Sequence, residues 1–385
     1  MPPIFTLQSK LPDLGTTIFT VMGRLATEHG AINLSQGFPD FPAPAGLLDR
    51  VAHHLRAGHN QYAPMAGLPE LQAQIARKTL ALYGRSVDPE AEITVTSGAT
   101  EALFSAIQAV VHPGDEVLCL DPAYDSYDPA IRLAGGHAVH IPLHQPGFGV
   151  DWERVRAAIT PRTRLLILNS PHNPTGAVLS LADITALTEL VAGSPLLLLS
   201  DEVYEHMVFD GIEHQSLLRY PELAERSLVV SSFGKTYHAT GWKIGYCVAP
   251  AALTRAFRQV HQYVQFCVVT PLQWALADFL ESDPEHYLNL PAFYQAKRDQ
   301  FCALLEPSRF RFTPSAGTYF QLLDYSAITS EHDVDYARRL TTEAGVACIP
   351  VSVFYAETPA TRLLRFCFAK DTGTLDRAAE ILCGI

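Results

Sequence analysis

The sequence predicts an α/β protein: a large domain with a mostly parallel central sheet flanked by helices, and a smaller α+β domain. Three observations predict it. From residue 92 strands and helices alternate, the pattern that builds parallel sheets. Four of the strands end in polar or glycine-bearing clusters, at residues 121–127, 169–176, 200–204 and 231–235. In a parallel sheet such ends lie along one edge, where ligands bind. From residue 309 the chain returns to short mixed strands and helices. For 385 residues two domains are the natural expectation. The expected division is 41–284 for the large domain, with 1–40 and 285–385 making the small one.

The elements follow in order. A helical pattern covers residues 18–29. Residues 32–40, INLSQGFPD, read as a short strand breaking into a glycine and proline loop. Glycine before an aromatic and a proline suits a backbone that approaches a ligand, or a tight turn. Residues 47–57 read as a helix, 60–64 as a loop and 68–83 as an amphipathic helix. A strand at 93–96 runs through Ser97, Gly98, Ala99, Thr100 and Glu101 into an apolar helix at 102–111. A helix N-terminus preceded by small residues is a ready anion site. Capping by Ser97 or Thr100 is the ordinary reading, and both can hold together.

Further strands are expected at 116–120, 164–168 and 195–199, with a helix at 181–192. The run 195–199 is wholly apolar, as inside a parallel sheet. Residues 227–233 form the next strand; a glycine turn carries Lys235, and a second strand spans 243–249. Helices follow at 252–264, 272–281 and 284–305. The last part reads as strands at 310–312, 317–323, 346–350 and 363–369, with helices at 334–344 and 374–383.

Composition excludes several classes. With 48% hydrophobic and 18% charged residues the chain is globular. A net charge of −12 argues against non-specific binding to nucleic acid or membranes, so any phosphate site must be local. The first fifteen residues have no apolar stretch behind a basic head, so no signal peptide is expected. The apolar runs are too short to span a bilayer. Seven scattered cysteines without a C-x-x-C read as reduced thiols of a cytoplasmic protein. There is no G-x-G-x-x-G, Walker A, G-x-S-x-G or zinc-type spacing. Glu202, Glu205 and His206 lie close together, but no second ligand cluster accompanies them, so no metal is expected. His172 is held between prolines and reads as part of a rigid loop.

The chemistry concentrates on a few side chains. Lys235 sits just past a strand end among Ser231, Ser232, Thr236, Tyr237 and Thr240. A crowded lysine loses its proton more easily and can form a Schiff base with a carbonyl. Lys243, a second cation beside hydroxyls, suits a phosphate. Asp201 ends an apolar strand and needs a partner there. A pyridinium nitrogen, a helix end or an ion pair would each serve. Arg365 lies in the apolar stretch LLRFCFA. A buried guanidinium requires an anion, either a ligand carboxylate or an internal one.

Together these residues resemble the fold type I pyridoxal-phosphate enzymes of the class I/II aminotransferase family. The resemblance covers nearly the whole chain. It rests on Asn173 with its NPTG, on SDEVY around Asp201, and on SSFGKT around Lys235 followed by GWKIG. The stretches INLSQGFPDF, QYAP and RFCFAK match most closely the branch of bacterial methionine aminotransferases and kynurenine aminotransferases.

The resemblance implies pyridoxal 5'-phosphate as cofactor. Lys235 would carry it as a Schiff base and then shuttle the proton of the substrate. Asp201 would pair with the pyridinium nitrogen, Asn173 and Tyr204 would bond the phenolic oxygen, and Tyr124 would stack on the ring. Gly98, Ala99 and Thr100, with Ser232 and Lys243, would hold the phosphate. Many family members have arginine at the position of Lys243; lysine keeps the charge without the fork. Tyr62 would reach a phosphate across a homodimer interface. Arg365, Asn173 and the backbone of Gly37 would hold the substrate carboxylate, with Phe38, Tyr62, Tyr124 and Phe354 near its side chain.

The implied reaction moves the amino group of methionine and other large neutral or aromatic L-amino acids to a 2-oxo acid. Cysteine-S-conjugate β-lyase and kynurenine aminotransferase are alternatives on the same fold. A cofactor-binding regulator is a remote third; the chain has no basic domain ahead of the first motif.

Overall fold

The computed structural model describes residues 8–385. Residues 1–7, where the leader expectation and the start of the 1–40 segment fall, lie outside the described residues. Among the described residues twelve strands follow in chain order. A short β1 (Ile32–Asn33) precedes β2 (Ile93–Thr96), β3 (Glu116–Asp121), β4 (His137–Pro142), β5 (Thr163–Asn169), β6 (Leu197–Asp201), β7 (Ser227–Ser232) and β8 (Gly245–Val248). The last part supplies β9 (Phe320–Asp324), β10 (Val346–Ala347), β11 (Ile349–Pro350) and β12 (Leu363–Cys367).

Strands β2 to β8 form one seven-stranded sheet in the order β2-β8-β7-β6-β5-β3-β4. From β7 to β4 every pairing is parallel. Only β8 runs the other way, antiparallel to both β2 and β7. The sheet is buried on both faces, and its two-residue period sorts its side chains. Leu118, Leu166, Leu168, Leu198 and Val229 enter one hydrophobic core. Val117, Leu165, Ile167, Leu199 and Val230 enter the other. Alternate residues of a strand point to opposite faces, so near-continuous apolar strands are what a doubly covered sheet requires.

The smaller part is built on an antiparallel sheet ordered β11-β12-β9. Beside it β1 pairs in parallel with β10, Ile32 opposite Val346. This pairing ties the N-terminal segment to the C-terminal part.

Several elements differ from expectation. Strand β4, HAVHIP, was not foreseen: it is a half-exposed edge strand whose histidines and proline hide its pattern. The helix expected at 102–111 starts earlier and spans Gly98–Val110. The helix expected at 284–305 is two, Glu285–Leu288 and Leu290–Leu305. Pro291, which lacks an N–H, sits at the start of the second. Residues 310–312 form a single bridge, Arg311 to Asp324, and no strand. The strand expected at 346–350 is shared between two sheets, β10 and β11. All seven cysteines are free, and five are buried. Among the described residues no helix is long and apolar enough to cross a membrane.

Candidate active site

The carboxyl ends of β2, β5, β6 and β7 meet along one edge of the sheet. Because β8 is reversed, its start lies there too, bringing Lys243 beside the strand ends. A cavity of about 150 Å³ opens at this edge. Gly98, Ala99, Thr100 and Tyr124 line one side of it, with Ser232 and Lys243. Asn173, Asp201, Tyr204 and Lys235 line it as well. These ten are the cofactor residues expected from the sequence, save Tyr62.

Lys235 lies on the short helical turn Phe233–Thr236 that caps β7. Its Nζ donates to the Gly37 carbonyl at 3.1 Å and to the Tyr319 hydroxyl at 2.9 Å. Among the described residues no carboxylate lies within ion-pair distance of it. Part of its surface faces the cavity, but protein surrounds the amine. That enclosure, with the charges of Lys243 and Arg365, pulls its pKa down to about 8.

Asp201 is buried at the end of β6. It accepts from the Tyr127 hydroxyl at 2.7 Å and from the Val203 amide at 3.4 Å. Among the described residues it makes no ion pair. Burial pushes its pKa up to about 6. The carboxylate thus lacks a cation at the back of the cavity. Tyr204 is buried as well, and burial raises its phenol well above the ordinary range, so it stays neutral and able to donate. Asn169, at the end of β5, donates to the Asp201 carbonyl at 2.9 Å and accepts from the Asn173 amide at 2.8 Å. It locks the Asn173 loop against the strand that carries Asp201.

The opposite end of the cavity is a cradle. Ser97 makes no side-chain capping bond at the start of the helix Gly98–Val110, so the capping expected of it is absent. The first amides of that helix remain available to an anion. Gly98 has φ +74°, and a Cβ there would stand 3.2 Å from Lys243 Cε and 3.3 Å from its Nζ. That close approach places the Lys243 side chain beside the helix N-terminus.

Arg365 lies on β12 and is 1% exposed. Nη1 donates to Asn173 Oδ1 at 2.6 Å and Nη2 to the Ser35 carbonyl at 3.0 Å. The guanidinium stacks over Phe320 at 3.9 Å, with the rings of Phe19 and Phe354 at 5.3 and 5.6 Å. Nε has no partner. Among the described residues no carboxylate forms an ion pair with it, so the internal salt bridge considered for it is absent. A buried guanidinium held only by neutral acceptors is an anion site.

Neither Phe38 nor Tyr62 lines this cavity, and Tyr62 is the residue expected at a partner's phosphate. Phe38 lies on the surface, 39% exposed, with its ring 4.5 Å from Lys370 Nζ. Tyr62 is 81% exposed and packs edge-on against Phe266 at 5.1 Å. Outside the site, Glu205 holds Lys78 at 2.7 Å, and Glu202 holds His214 at 3.0 Å. His172 is buried, bonded to Thr175, and depressed to about pKa 4 by burial. Tyr127, Asn169 and Tyr319 were not foreseen. The first two belong to strand-end clusters already singled out; Tyr319 comes from the smaller part, where the edge rule gives no signal.

The donor set fits pyridoxal 5'-phosphate. It offers a buried carboxylate short of a cation, neutral donors from Tyr204 and Asn173, and the face of Tyr124. It also offers a helix N-terminus with a lysine, and an amine that readily loses its proton.

Comparison with known proteins agrees with this geometry. The family model for aminotransferase class I and II matches residues 29–382. The methionine aminotransferase of Escherichia coli K12 is 55% identical over 375 residues, covering 97% of each chain. A probable N-succinyldiaminopimelate aminotransferase of Mycobacterium tuberculosis is 40% identical over 385 residues, again covering 97% of each. A solved structure from Escherichia coli, reported with a methionine aminotransferase function, superposes with a TM-score of 0.97. It is 54% identical and covers 99% of this chain and 100% of its own.

Proposed function

We propose, from the premise that the chain belongs to the class I and II aminotransferases, that its amino donors are methionine and other large neutral or aromatic L-amino acids. It is a pyridoxal 5'-phosphate-dependent aminotransferase of fold type I, and the acceptor is a 2-oxo acid. One observation carries the donor class: the buried, carboxylate-free guanidinium of Arg365 is ringed by Phe19, Phe320 and Phe354. It offers one place for an α-carboxylate and apolar surroundings for the rest of the substrate. The 55% identity to a methionine aminotransferase supports the same reading.

The residues divide the work. Asp201 would face the ring nitrogen of the cofactor, Asn173 and Tyr204 would donate to its phenolic oxygen, and Tyr124 would cover its face. The amides from Gly98 to Thr100, with Ser232 and Lys243, would hold its phosphate. Bound pyridoxal 5'-phosphate supplies the electron sink that lets a proton leave the substrate α-carbon. Arg365 and Asn173 fix the substrate carboxylate, with the Gly37 backbone beside them, and so set the α-carbon near Lys235. The Lys235 amine takes that proton and later returns one. With a pKa of about 8 it exchanges protons readily near neutral pH.

The assembly we infer is a homodimer. Tyr62, Tyr263, Val264, Phe266 and Val269 are all exposed, the last four lie within seven residues of one another, and Tyr62 packs against Phe266. Exposed apolar groups so gathered support a protein contact, which would carry Tyr62 to the partner's phosphate. Free, mostly buried cysteines support a reducing compartment, the cytoplasm. The pairing of β1 with β10 supports grouping residues 1–40 with 285–385 as the smaller domain.

Visible absorption tests the reading. The yellow band of the purified protein should fade on adding methionine and return with a 2-oxo acid. A band that methionine leaves unchanged removes methionine from the proposal. Release of pyruvate and ammonia from a cysteine conjugate would instead mark a β-lyase, and bleaching by kynurenine alone the kynurenine alternative.

A further inference from the structure

Tyr319 is fully buried just ahead of β9. Its hydroxyl donates to the Gly37 carbonyl and accepts from Lys235 Nζ at 2.9 Å. Lys235 donates to the same carbonyl at 3.1 Å, closing a triangle of three polar groups. The ring of Tyr319 meets that of Tyr204 edge-on at 5.1 Å. Thr318, with φ 65°, turns the chain so that Tyr319 enters the interior. Among the described residues the amine has these two acceptors and no carboxylate partner.

We propose that Tyr319 is a positioning residue that receives the Lys235 amine when the cofactor releases it, and aims the amine's lone pair at the substrate α-carbon. The proposal rests on the aminotransferase reading and adds to it a residue of the smaller sheet.

The argument is one of valence. A neutral primary amine has two N–H groups and one lone pair. The two acceptors, Tyr319 Oη and Gly37 O, take both N–H groups. The hydroxyl accepts from the lysine because its own proton is committed to Gly37. One tetrahedral direction remains, and the lone pair occupies it. When the amine takes up a proton, the new N–H lies in that same direction, poised to be returned. Without Tyr319 the amine would end a flexible four-carbon stem held by one acceptor, and the reacting geometry would be lost for much of the time.

The charged and titratable groups that face the amine are Asp201 at the end of β6, Tyr204 after it, Lys243 before β8, and Arg365 and Cys367 on β12. Against these Tyr319 contributes an acceptor oxygen. An acceptor favours the ammonium over the amine, so its loss lowers the pKa of Lys235 below its present value of about 8.

The test is Tyr319→Phe, which keeps the ring. In cofactor-stripped full-length protein, acylation of Lys235 by acetic anhydride is followed against pH by peptide mass spectrometry. The midpoint is expected to fall by about one to two pH units, the worth of one hydrogen bond to a charged group. In the holoenzyme, kcat with methionine is expected to fall about 10- to 100-fold with KM within twofold. An unshifted midpoint overturns the proposal, and so does a KM effect without a kcat effect. Should the phenylalanine variant fail to fold, 3-fluorotyrosine at 319 keeps shape and hydroxyl while weakening the acceptor. It is expected to move the midpoint in the same direction by less, and no movement overturns the proposal. The acylation readout does not depend on turnover. Failure of methionine to react would therefore count against the substrate reading and leave this inference standing or falling by itself.

Discussion

Arg365 and Asn173, 192 positions apart, meet through a 2.6 Å hydrogen bond from Nη1 to Oδ1. One lies on β12 of the smaller sheet and the other in the loop after β5 of the large one. The proposed carboxylate site is therefore assembled across the two sheets, and its geometry depends on how they pack. Arg365→Lys keeps the charge and loses the planar fork. We expect kcat/KM for methionine to fall about 10²–10³-fold, with KM rising for amino acid and oxo acid alike. Steady-state kinetics on both substrates decide it; a loss below threefold would remove Arg365 from the clamp.

Lys235→Ala removes the amine proposed to take the substrate proton. The yellow band should vanish and transamination fall by at least about 10³-fold. Retained turnover at a tenth of the wild-type rate would mean that another base acts.

Asp201 gives a pH-dependent signature in cofactor-free protein. Its folded pKa is about 6, against about 3.9 for an unfolded aspartate. The folded state therefore holds its proton more tightly, and stability falls as pH rises from about 4 through about 6. Asp201→Asn removes that penalty. The variant should be more stable than wild type by about 3 kcal/mol at pH 7.5, and nearly equal to it near pH 4. Urea unfolding at the two pH values measures the difference; a gain that does not change with pH contradicts the burial argument.

Lys78 and Glu205 form a buried pair at 2.7 Å, 5% and 3% exposed, with Tyr83 and Tyr246 completing the bonds to Glu205. Burial opposes the charge of Glu205, but the Lys78 ammonium outweighs it and holds the carboxyl well below its usual range. Lys78→Met leaves that charge unpaired and should cost about 3–5 kcal/mol. Adding Glu205→Leu should recover most of the loss. Denaturant melts of the single and double variants provide the check.

The exposed apolar surface around Tyr263, 89% exposed, predicts a homodimer. Sedimentation at micromolar concentration should give twice the chain mass of 42.2 kDa. Tyr263→Glu with Phe266→Glu should shift it to monomer and weaken cofactor retention, because Tyr62 then has no partner to serve. A monomeric wild type that retains cofactor would end the interface proposal.

Much of the site was legible because parallel strands announce themselves as apolar runs and deposit their functional residues just beyond. Asn173, Asp201 and Lys235 were readable for that reason, and Arg365 because a cation inside LLRFCFA is conspicuous. What was hidden depended on packing between sequence-distant parts. Tyr319 looks like any strand aromatic until Gly37 and Lys235 are placed around it. Tyr127 reveals itself only when β6 brings Asp201 to its hydroxyl. Strand β4 was hidden because an edge strand carries little apolar signal. Residues 346–350 read as one strand because nothing local tells β10 from β11.

The segment from Ser35 to Phe38 serves the site through its main chain: Ser35 O holds Arg365, Gly37 O holds Lys235 and Tyr319, and Phe38 O holds Lys370. No codon change deletes a carbonyl. Inherited variation acts here only through shape, and shape bites at Gly37, where a Cβ would stand 2.6 Å from Phe320 Cζ. Alanine scanning would therefore pass over Ser35 and Phe38 as dispensable while the oxygens beneath them stayed at work. Their contribution becomes visible only by chemical synthesis, replacing single amides with esters so that one acceptor at a time is weakened.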